Sequence, residues 1–539
     1  MAERQRSAGR VVLGLTARRA ATTGVVWGVV FGVLLANEAL GYRTAFPTVE
    51  SRKVFAESFG SNGGLTAMTG PARHLDTLPG VLTWRMFFLM IVIGAIWGLL
   101  TATRALRGEE DAGRWELVLS GRTSRREATV EAVLGLLAGW LALLAVTSGF
   151  LVVAGTRPSV GLDVVGLLFY AVAGCASALV FLAVGALCSQ VAPTRRQANA
   201  LGAGVLGVAW VLRMVADSDP SRGALRWATP LGWIEELRPL TDPQPWVLVP
   251  VVGLAGACLG LTLVLVGRRD TGAGVVSWRR PSRGRTRLLT GPLGLAVRLE
   301  RGVALGWILG LTSVALVFGW VAGAAASAGI DDGAVRTTVA QLGGRGGGAA
   351  AWIGYELLYL AAILAFAAAG QVAAMRAEEA DGVADNLLAG PVGRARWIAS
   401  RLLPAAALVL LSGLGCGVGA WWGLLGEHEL GWWTLLGAGL NTAVPALFVL
   451  GLGTFLFGVA PRLAGPALYA VVLWSFLVAV VGSSLVDADW ILQTAVLSHV
   501  SPVPAAPADW TGIVWLLGLA AAGVAAGTAG FRRRDVLGG

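Results

Sequence analysis

The chain has 539 residues, of which 55% are hydrophobic and only 14% are charged, and its mean hydropathy is +0.70. Soluble domains carry about a quarter charged residues, so this composition excludes a soluble globular protein. Apolar runs of about twenty residues, the length that crosses a bilayer as a helix, recur along the chain and favour a polytopic membrane protein. The formal net charge is +10, but we expect no nucleic-acid partner because the basic residues follow a membrane topology.

The apolar runs predict an all-α protein with twelve transmembrane helices, six in each half of the chain. The first six spans are predicted at 21–40, 81–103, 132–154, 163–188, 198–216 and 246–266. The second six are predicted at 303–323, 353–375, 398–422, 432–457, 463–485 and 512–530. We assign the halves to residues 1–270 and 271–539, and a basic stretch at 267–291 is predicted to join them on the cytoplasmic side.

An even number of spans places both termini on one side of the membrane. If that side is the cytoplasm, most of the 42 basic residues fall in cytoplasmic segments, in agreement with the positive-inside rule. The sequence therefore predicts cytoplasmic termini for a multi-pass protein of a bacterial cell membrane, surrounded by membrane lipids.

Two basic segments, Ala8–Arg19 and Leu288–Arg301, precede the first span of each half. Leu and Val alternate there with Arg at loosely helical spacing, which favours an amphipathic helix on the inner leaflet; a solvated cytoplasmic tail is the alternative. On the outer side, Ala228–Leu240 is rich in apolar and aromatic residues and predicts a short helix at the interface.

A charged motif follows the second span and occurs again after the eighth. Each copy has an acidic pair, a Gly and a further acid at the fourth and seventh positions after the first Glu, and an Arg beyond a closing Gly. The first copy comprises Glu109, Glu110, Gly113, Glu116 and Arg125, and the second Glu378, Glu379, Gly382, Asp385 and Arg394. Positions i, i+4 and i+7 share a helix face, so each half is predicted to present one acidic helical face that a partner can approach closely at the Gly.

Other matches between the halves are collinear with this motif. Trp84 corresponds to Trp352, and the tripeptide Arg268–Asp270 after the sixth span corresponds to Arg533–Asp535 after the twelfth. Both halves are predicted to begin on the cytoplasmic side. The sequence therefore predicts two tandem parallel repeats related by an axis along the membrane normal.

The chain lacks the sequence signatures of an enzyme. Its one lysine, Lys53, lies outside any Gly-rich stretch, so there is no phosphate-binding loop, and we expect the chain to bind no cofactor. The three histidines, His74, His428 and His499, lie in separate loops, and no metal site is predicted. Glu235–Glu236 is the one faint candidate for a membrane-embedded enzyme, and a solvated interfacial helix explains this pair better.

Charged residues near the outer ends of predicted spans are interpreted as interfacial anchors whose side chains reach water. They are Glu38, Arg85, Arg213, Asp217 and Glu356. An ion-gradient-driven secondary transporter with two six-helix halves remains the alternative to an ATP-driven transporter. That class needs ionisable groups buried in the middle of spans, and none of these residues is predicted to lie there.

The motif from Arg107–Glu110 through Arg125, the six-span halves and the loop Pro230–Pro239 together give a resemblance that covers essentially the whole chain. The sequence resembles the fused twelve-span permeases of bacterial ABC exporters, in the branch labelled polyketide antibiotic or multidrug exporters. The resemblance implies a permease that moves amphipathic small molecules, antibiotic-like or drug-like, out of the cell by alternating access. It also implies two copies of a separate cytoplasmic ATPase subunit that binds ATP and Mg.

In such permeases the first cytoplasmic loop of each half forms a coupling helix that docks in a groove of the ATPase. The resemblance therefore implies that both copies of the motif, with the ten residues named above, are ATPase-coupling sites. The second copy departs from the pattern at two places. Asp385 stands where the first copy has Glu116, and Val383–Ala384 stands where it has Arg114–Trp115. Whether both halves couple equally stays open at this point.

Overall fold

The computed structural model describes residues 8–60, 66, 69–121, 123–217, 220–270, 272–275, 291–327, 348–424, 430–481 and 489–535. Within these ranges every regular element is a helix, as the composition predicts. The chain forms two compact units, Met1–Pro281 and Ser282–Gly539. The boundary between the units lies in the stretch 267–291 that the sequence predicts to be a linker, of which 276–290 fall outside the described residues.

The first unit contains ten α-helices among its described residues. They are α1 (Ala8–Ala45), α2 (Val49–Gly60), α3 (Leu78–Thr103), α4 (Glu109–Asp111), α5 (Arg114–Leu119), α6 (Arg125–Gly155), α7 (Val164–Val191), α8 (Arg195–Asp217), α9 (Pro230–Glu236) and α10 (Leu248–Val266). A π-helical turn, Arg104–Gly108, extends α3, and 3-10 helices occupy Pro220–Ala228 and Pro245–Val247.

The described part of the second unit contains eight α-helices. They are α11 (Pro292–Ser327), α12 (Gly348–Ala380), α13 (Val383–Leu388), α14 (Arg394–Gly423), α15 (Trp432–Val459), α16 (Pro461–Val481), α17 (Asp489–Leu492) and α18 (Trp510–Arg533). A 3-10 helix occupies Val496–His499.

Twelve helices of the described chain are long and apolar enough to cross a membrane, which confirms the predicted number of spans. The six in the first unit are α1, α3, α6, α7, α8 and α10, and the six in the second are α11, α12, α14, α15, α16 and α18. The short helix predicted between the fifth and sixth spans is also present, as α9 within the range Ala228–Leu240.

The same neighbours pair within each unit. The first span packs along the third, the second along the fourth, and the fourth against the sixth. Small residues permit the first of these contacts: a Cβ added to Gly24 of α1 would lie 2.4 Å from the Gly139 carbonyl oxygen of α6, and one added to Gly419 of α14 would lie 2.2 Å from that of Thr312 of α11. Apolar helices in lipid associate by such close backbone packing rather than by the hydrophobic effect.

The basic segments before the first span of each unit differ from the separate interfacial helices that the sequence predicts. Ala8–Arg19 is the opening part of α1, whose 38 residues extend about 57 Å at 1.5 Å per residue. Residues 292–301 likewise open α11, and 288–290 lie outside the described residues. The N-terminal segment packs on α6, where a Cβ added to Gly135 would lie 2.8 Å from the Ala17 nitrogen. The basic segment is therefore packed against the third span as part of α1.

Candidate functional site

The first copy of the acidic motif forms two short helices and not one. Gly113 has a φ of +71°, in the left-handed region, and separates α4 from α5. Residues i, i+4 and i+7 share a face only along an unbroken helix. Glu109 and Glu116 therefore lie on different helices, and the prediction of one continuous acidic face is wrong.

The second copy has the same break. Gly382 has a φ of +70° and lies between the end of α12 and the start of α13. A Cβ added to Gly113 or to Gly382 would meet no heavy atom within 4 Å. Each Gly is thus needed for its backbone conformation, which costs residues with a Cβ about 1–2 kcal/mol, and not for close approach of another part of the described chain.

The second Glu of each acidic pair is buried in an ion pair with an Arg that follows the sixth span of the same unit. Glu110 oxygens lie 2.7 and 2.6 Å from the two terminal nitrogens of Arg269. Glu379 oxygens lie 2.6 and 2.9 Å from those of Arg534. The Glu side chains are 6% and 0% exposed. A bidentate, charge-assisted ion pair therefore connects each loop to the end of the sixth span of the same unit.

The Arg at the start of each third span reaches the same place. Arg125 Nη1 donates to the Arg269 carbonyl oxygen at 2.6 Å. Arg394 Nη1 donates to the carbonyl oxygens of Arg534 and, at 3.1 Å, of Phe531. We call Glu110, Arg125 and Arg269 the first brace, and Glu379, Arg394 and Arg534 the second brace.

Sequence reasoning identified four of these six residues as site residues but not Arg269 and Arg534. The signal that could have found them is the match of Arg268–Asp270 with Arg533–Asp535, since both Arg residues occupy the middle of that tripeptide. The match indicates a repeat, but the sequence does not say which acidic residue each Arg contacts.

Arg107 strengthens the first brace. Its guanidinium is fully buried and lies 3.2 Å from Glu110 Oε2 and 3.1 Å from Asp111 Oδ1. It also donates to the carbonyl oxygens of Gly272, at 2.9 Å, and of Ala273, at 3.0 Å. The stretch after the sixth span is thus held under the loop by both main-chain and side-chain contacts.

The first Glu of each pair is less buried and pairs differently in the two copies. Glu109 accepts hydrogen bonds from Arg19 of α1 at 2.9 Å and from Arg114 at 3.0 Å. Glu378 accepts one from Arg401 of α14 at 2.8 Å. Glu109 and Glu378 therefore connect their loops to the first and third spans, respectively.

The remaining acids of the motif face away from the unit. Glu116 and Asp385 are exposed, and so are Leu117, at 77%, and Val383, at 46%. An open groove beside α5 is lined by Glu116, Leu119, Ser120, Thr123, Ser124 and Arg125. The outward surface of each loop thus combines an acidic side chain with exposed apolar ones.

Arg213 and Asp217 are buried rather than exposed to water, so their interpretation as interfacial anchors is wrong. Their side chains are 1% and 0% exposed, and the Arg213 Nε lies 3.1 Å from Asp217 Oδ2 and 2.9 Å from Glu235 Oε2. Oppositely charged partners within the first unit explain the burial, because a buried charge is tolerated when it is paired. Glu38 is likewise paired, with Arg85 at 3.0 Å.

Glu236 extends this charged network. Its carboxylate lies 3.1 Å from Arg73 and 3.2 Å from Arg226, and it also accepts from Arg238. Burial opposes ionisation, but the three guanidinium groups outweigh it and hold the pKa of Glu236 below its ordinary value. Glu356 of α12 is also buried, at 8% exposure.

Twelve helices of the described chain are those of a polytopic membrane protein, and comparison with known proteins gives its class. Residues 12–234 match the model of the ABC-2 family transporter proteins. Residues 289–532 match the model of the C-terminal domain of the multidrug efflux system permease Rv1217c. The multidrug efflux system permease protein Rv1217c of Mycobacterium tuberculosis (strain ATCC 25618 / H37Rv) is 31% identical in an alignment that covers 97% of this chain and 94% of the relative.

The chain therefore belongs to the multidrug efflux permeases of the ABC-2 transporter family. It is the membrane permease component of an ABC exporter and a multi-pass protein of the cell membrane. Membership of this family implies a partner ABC ATPase.

Proposed function

We propose that this permease exports amphipathic, drug-like or antibiotic-like molecules by alternating access, powered by two copies of a separate cytoplasmic ATPase. ATP and Mg would bind in that partner. Docking would occur at α4–α5 after the second span and at α13 after the eighth. The observation that carries the proposal is that both units build the same loop at the same place, with a left-handed Gly, a braced Glu and an exposed acid.

The outward surfaces of the loops suit docking to a partner of complementary charge. Glu116 and Asp385 project beside the exposed Leu117 and Val383. Exposed acids orient a partner with a basic groove and speed its approach, while exposed apolar groups supply area to bury. We place these loops in the cytoplasm, with both termini, on the positive-inside distribution of Arg, and treat the two units as tandem parallel repeats.

Two other classes of function are less well supported. Membership of the ABC-2 family disfavours an exporter driven by an ion gradient. A membrane-embedded enzyme that uses Glu235 and Glu236 is disfavoured by their contacts, since Glu235 pairs with Arg213 and Glu236 with three Arg residues. A lowered pKa also makes Glu236 a poor proton donor at neutral pH.

The test is co-purification of the permease in detergent with the ATPase encoded beside it. The variant is the double substitution Glu116→Arg and Asp385→Arg, which reverses two exposed charges without touching a brace. Glu50→Arg is the matched control, because Glu50 is an exposed acid of α2 on the predicted outer side. We expect the double variant to lose bound ATPase and the control to retain it. Equal retention by all three proteins would contradict docking at these loops.

A further inference from the structure

Arg269 and Arg534 lie where the loop, the third span, the fourth span and the sixth span of each unit meet. We infer that they are positioning residues that pass movement of each docked loop to the sixth span of the same unit. This inference rests on the proposed docking of an ATPase at the loops, and it assigns a role to two residues that do not face the partner.

The first brace connects four parts of its unit through Arg269. The guanidinium holds Glu110 of the loop by two contacts of 2.7 and 2.6 Å and donates to Gln190 Oε1 of α7, the fourth span, at 2.8 Å. Its carbonyl oxygen accepts from Arg125 of α6, the third span. Arg269 itself lies three residues beyond Val266, the last residue of α10, which is the sixth span. A displacement of the loop therefore has a short route to that helix.

The second brace makes the same connections with different chemistry on the fourth span. Arg534 holds Glu379 by two contacts and accepts from Arg394 through its carbonyl oxygen. It donates to the Phe457 carbonyl oxygen of α15 at 3.1 Å, and its guanidinium lies 5.2 Å and 5.0 Å from the ring centroids of Phe457 and Phe531. Arg534 thus connects the loop with the third, fourth and sixth spans of its unit, as Arg269 does in the first unit, although the groups that the two Arg residues contact on the fourth span differ.

The geometry of the Glu–Arg pairs suits transmission of movement better than attraction of a partner at the surface. A guanidinium and a carboxylate that share two contacts resist both sliding and rotation, whereas a single exposed pair does not. The Glu side chains are almost completely buried, so water does not replace the contact when the loop is pushed. An ATPase that pulls the exposed side of α5 or α13 would therefore carry the end of the sixth span with it.

The experiment compares Arg269→Met and Arg534→Met, singly and together, with the matched controls Arg268→Met and Arg533→Met. Arg268 and Arg533 precede the two brace residues directly and are exposed, so each control removes the same charge without breaking a brace. The full permease is purified with its ATPase in nanodiscs. Amide hydrogen exchange is then measured with and without ATP and orthovanadate, which traps the ATPase without any need for the cargo.

We expect the nucleotide to change exchange in the loops, residues 109–121 and 378–390, in every protein that retains the ATPase. In the wild type and both controls, exchange should also change at the ends of the sixth spans, residues 262–275 and 528–535. In the Arg→Met variants this second response should be lost at the mutated unit while ATPase retention stays at the wild-type level. Arg→Lys variants, which keep a cation next to Glu110 or Glu379, should give an intermediate response and replace any Met variant that does not fold.

Two different failures are distinguishable in this experiment. A wild-type permease that retains no ATPase would overturn the proposed function, and the transmission route with it. A wild-type level of response at the sixth-span ends in the Arg→Met or Arg→Lys variants, with the ATPase retained, would overturn the role of Arg269 and Arg534 alone. The same holds if the wild-type complex shows a response in the loops and none at the sixth-span ends.

Discussion

The loops after the second and eighth spans share a brace but differ at the Arg two positions before their acidic pair. In the first loop this residue is Arg107, fully buried against two carboxylates and three carbonyl oxygens. In the second it is Arg376, whose side chain is 21% exposed and lies 3.6 Å from Glu379. The brace that connects the loop to the sixth span is therefore common to both units. The start of the loop is held by a fully buried Arg in the first unit and by a partly exposed one in the second.

The brace and the extra contacts of Arg107 hold different parts of the chain. The common brace is what a repeated loop requires if both loops move with their sixth spans. The extra contacts of Arg107 fix the stretch after the sixth span, at Gly272 and Ala273, which leads from the first unit toward the second. We attribute the tighter anchoring of the first loop to this connection.

Arg107→Met should have the largest effect on stability. It leaves Glu110 and Asp111 with one fewer cation and three carbonyl oxygens without this donor, and breaking a buried ion pair costs roughly 3–5 kcal/mol. Arg376→Met should change stability by less than about 1 kcal/mol, since partly exposed pairs contribute little. Thermal unfolding of the detergent-purified permease, followed by tryptophan fluorescence, measures both. Equal losses would show that the exposure and distance of Arg376 understate its role.

The charged network around Glu236 can be tested by the substitution Glu236→Gln and by lowering the pH. This network lies in the first unit, at the opposite end of the spans from the first brace. Replacement of the carboxylate weakens the contacts with Arg73, Arg226 and Arg238, and charged hydrogen bonds of this kind are each worth about 1.5–3 kcal/mol. We expect a loss of stability of about 2 kcal/mol at pH 7. Because the pKa of Glu236 is lowered, its contribution is fully present above about pH 4.5 and is lost as the pH falls through the lowered pKa.

The measurement for this prediction is the difference in unfolding temperature between wild type and Glu236→Gln at several pH values. The difference should stay constant from pH 7 to pH 5 and shrink only below about pH 4. Asp242→Asn is the control, since Asp242 is 58% exposed and has one contact with Arg238. A difference that already disappears at pH 6 would contradict the lowered pKa.

Gly113→Ala and Gly382→Ala should have the smallest effects, and equal ones. Each Gly has a positive φ and open space around its Cβ position, so strain of about 1–2 kcal/mol in the backbone is the whole cost. Asn adopts this conformation more readily than Ala, and Gly→Asn should recover part of the loss in the same unfolding measurement. If the Gly were needed for close approach of the ATPase, Ala would instead reduce retention of the ATPase without a change in stability.

The spans were predictable because a bilayer imposes length and apolarity on each helix independently of its neighbours. All twelve predicted spans correspond to long apolar helices in the described chain, including 463–485, whose last residues lie beyond the described end of α16. The helix in the outer loop was predictable for a similar reason, since Thr229 and Pro230 are local signals for a helix start.

The geometry of the loops was not predictable from spacing alone. The i, i+4, i+7 pattern assumes a continuous helix, and the Gly at i+4 is the residue that interrupts it. The buried state of Arg213 and the pairing of Glu110 with Arg269 depend on residues 22 and 159 positions away. Local periodicity carries no information about such partners, so Arg213 was interpreted as a surface anchor and Glu110 as part of a continuous acidic face where the fold forms internal ion pairs.

The sequence separation within each brace has a consequence for biosynthesis. Glu110 and Glu379 precede their Arg partners by 159 and 155 residues, and the ribosome adds about 5–20 residues per second. Each Glu therefore waits roughly 8–30 seconds for its partner, until the last span of its unit has been made. Closure of the brace thus depends on completed insertion of all six spans, and a nascent permease with a missing or inverted sixth span would leave its loop unfastened and open to proteolysis.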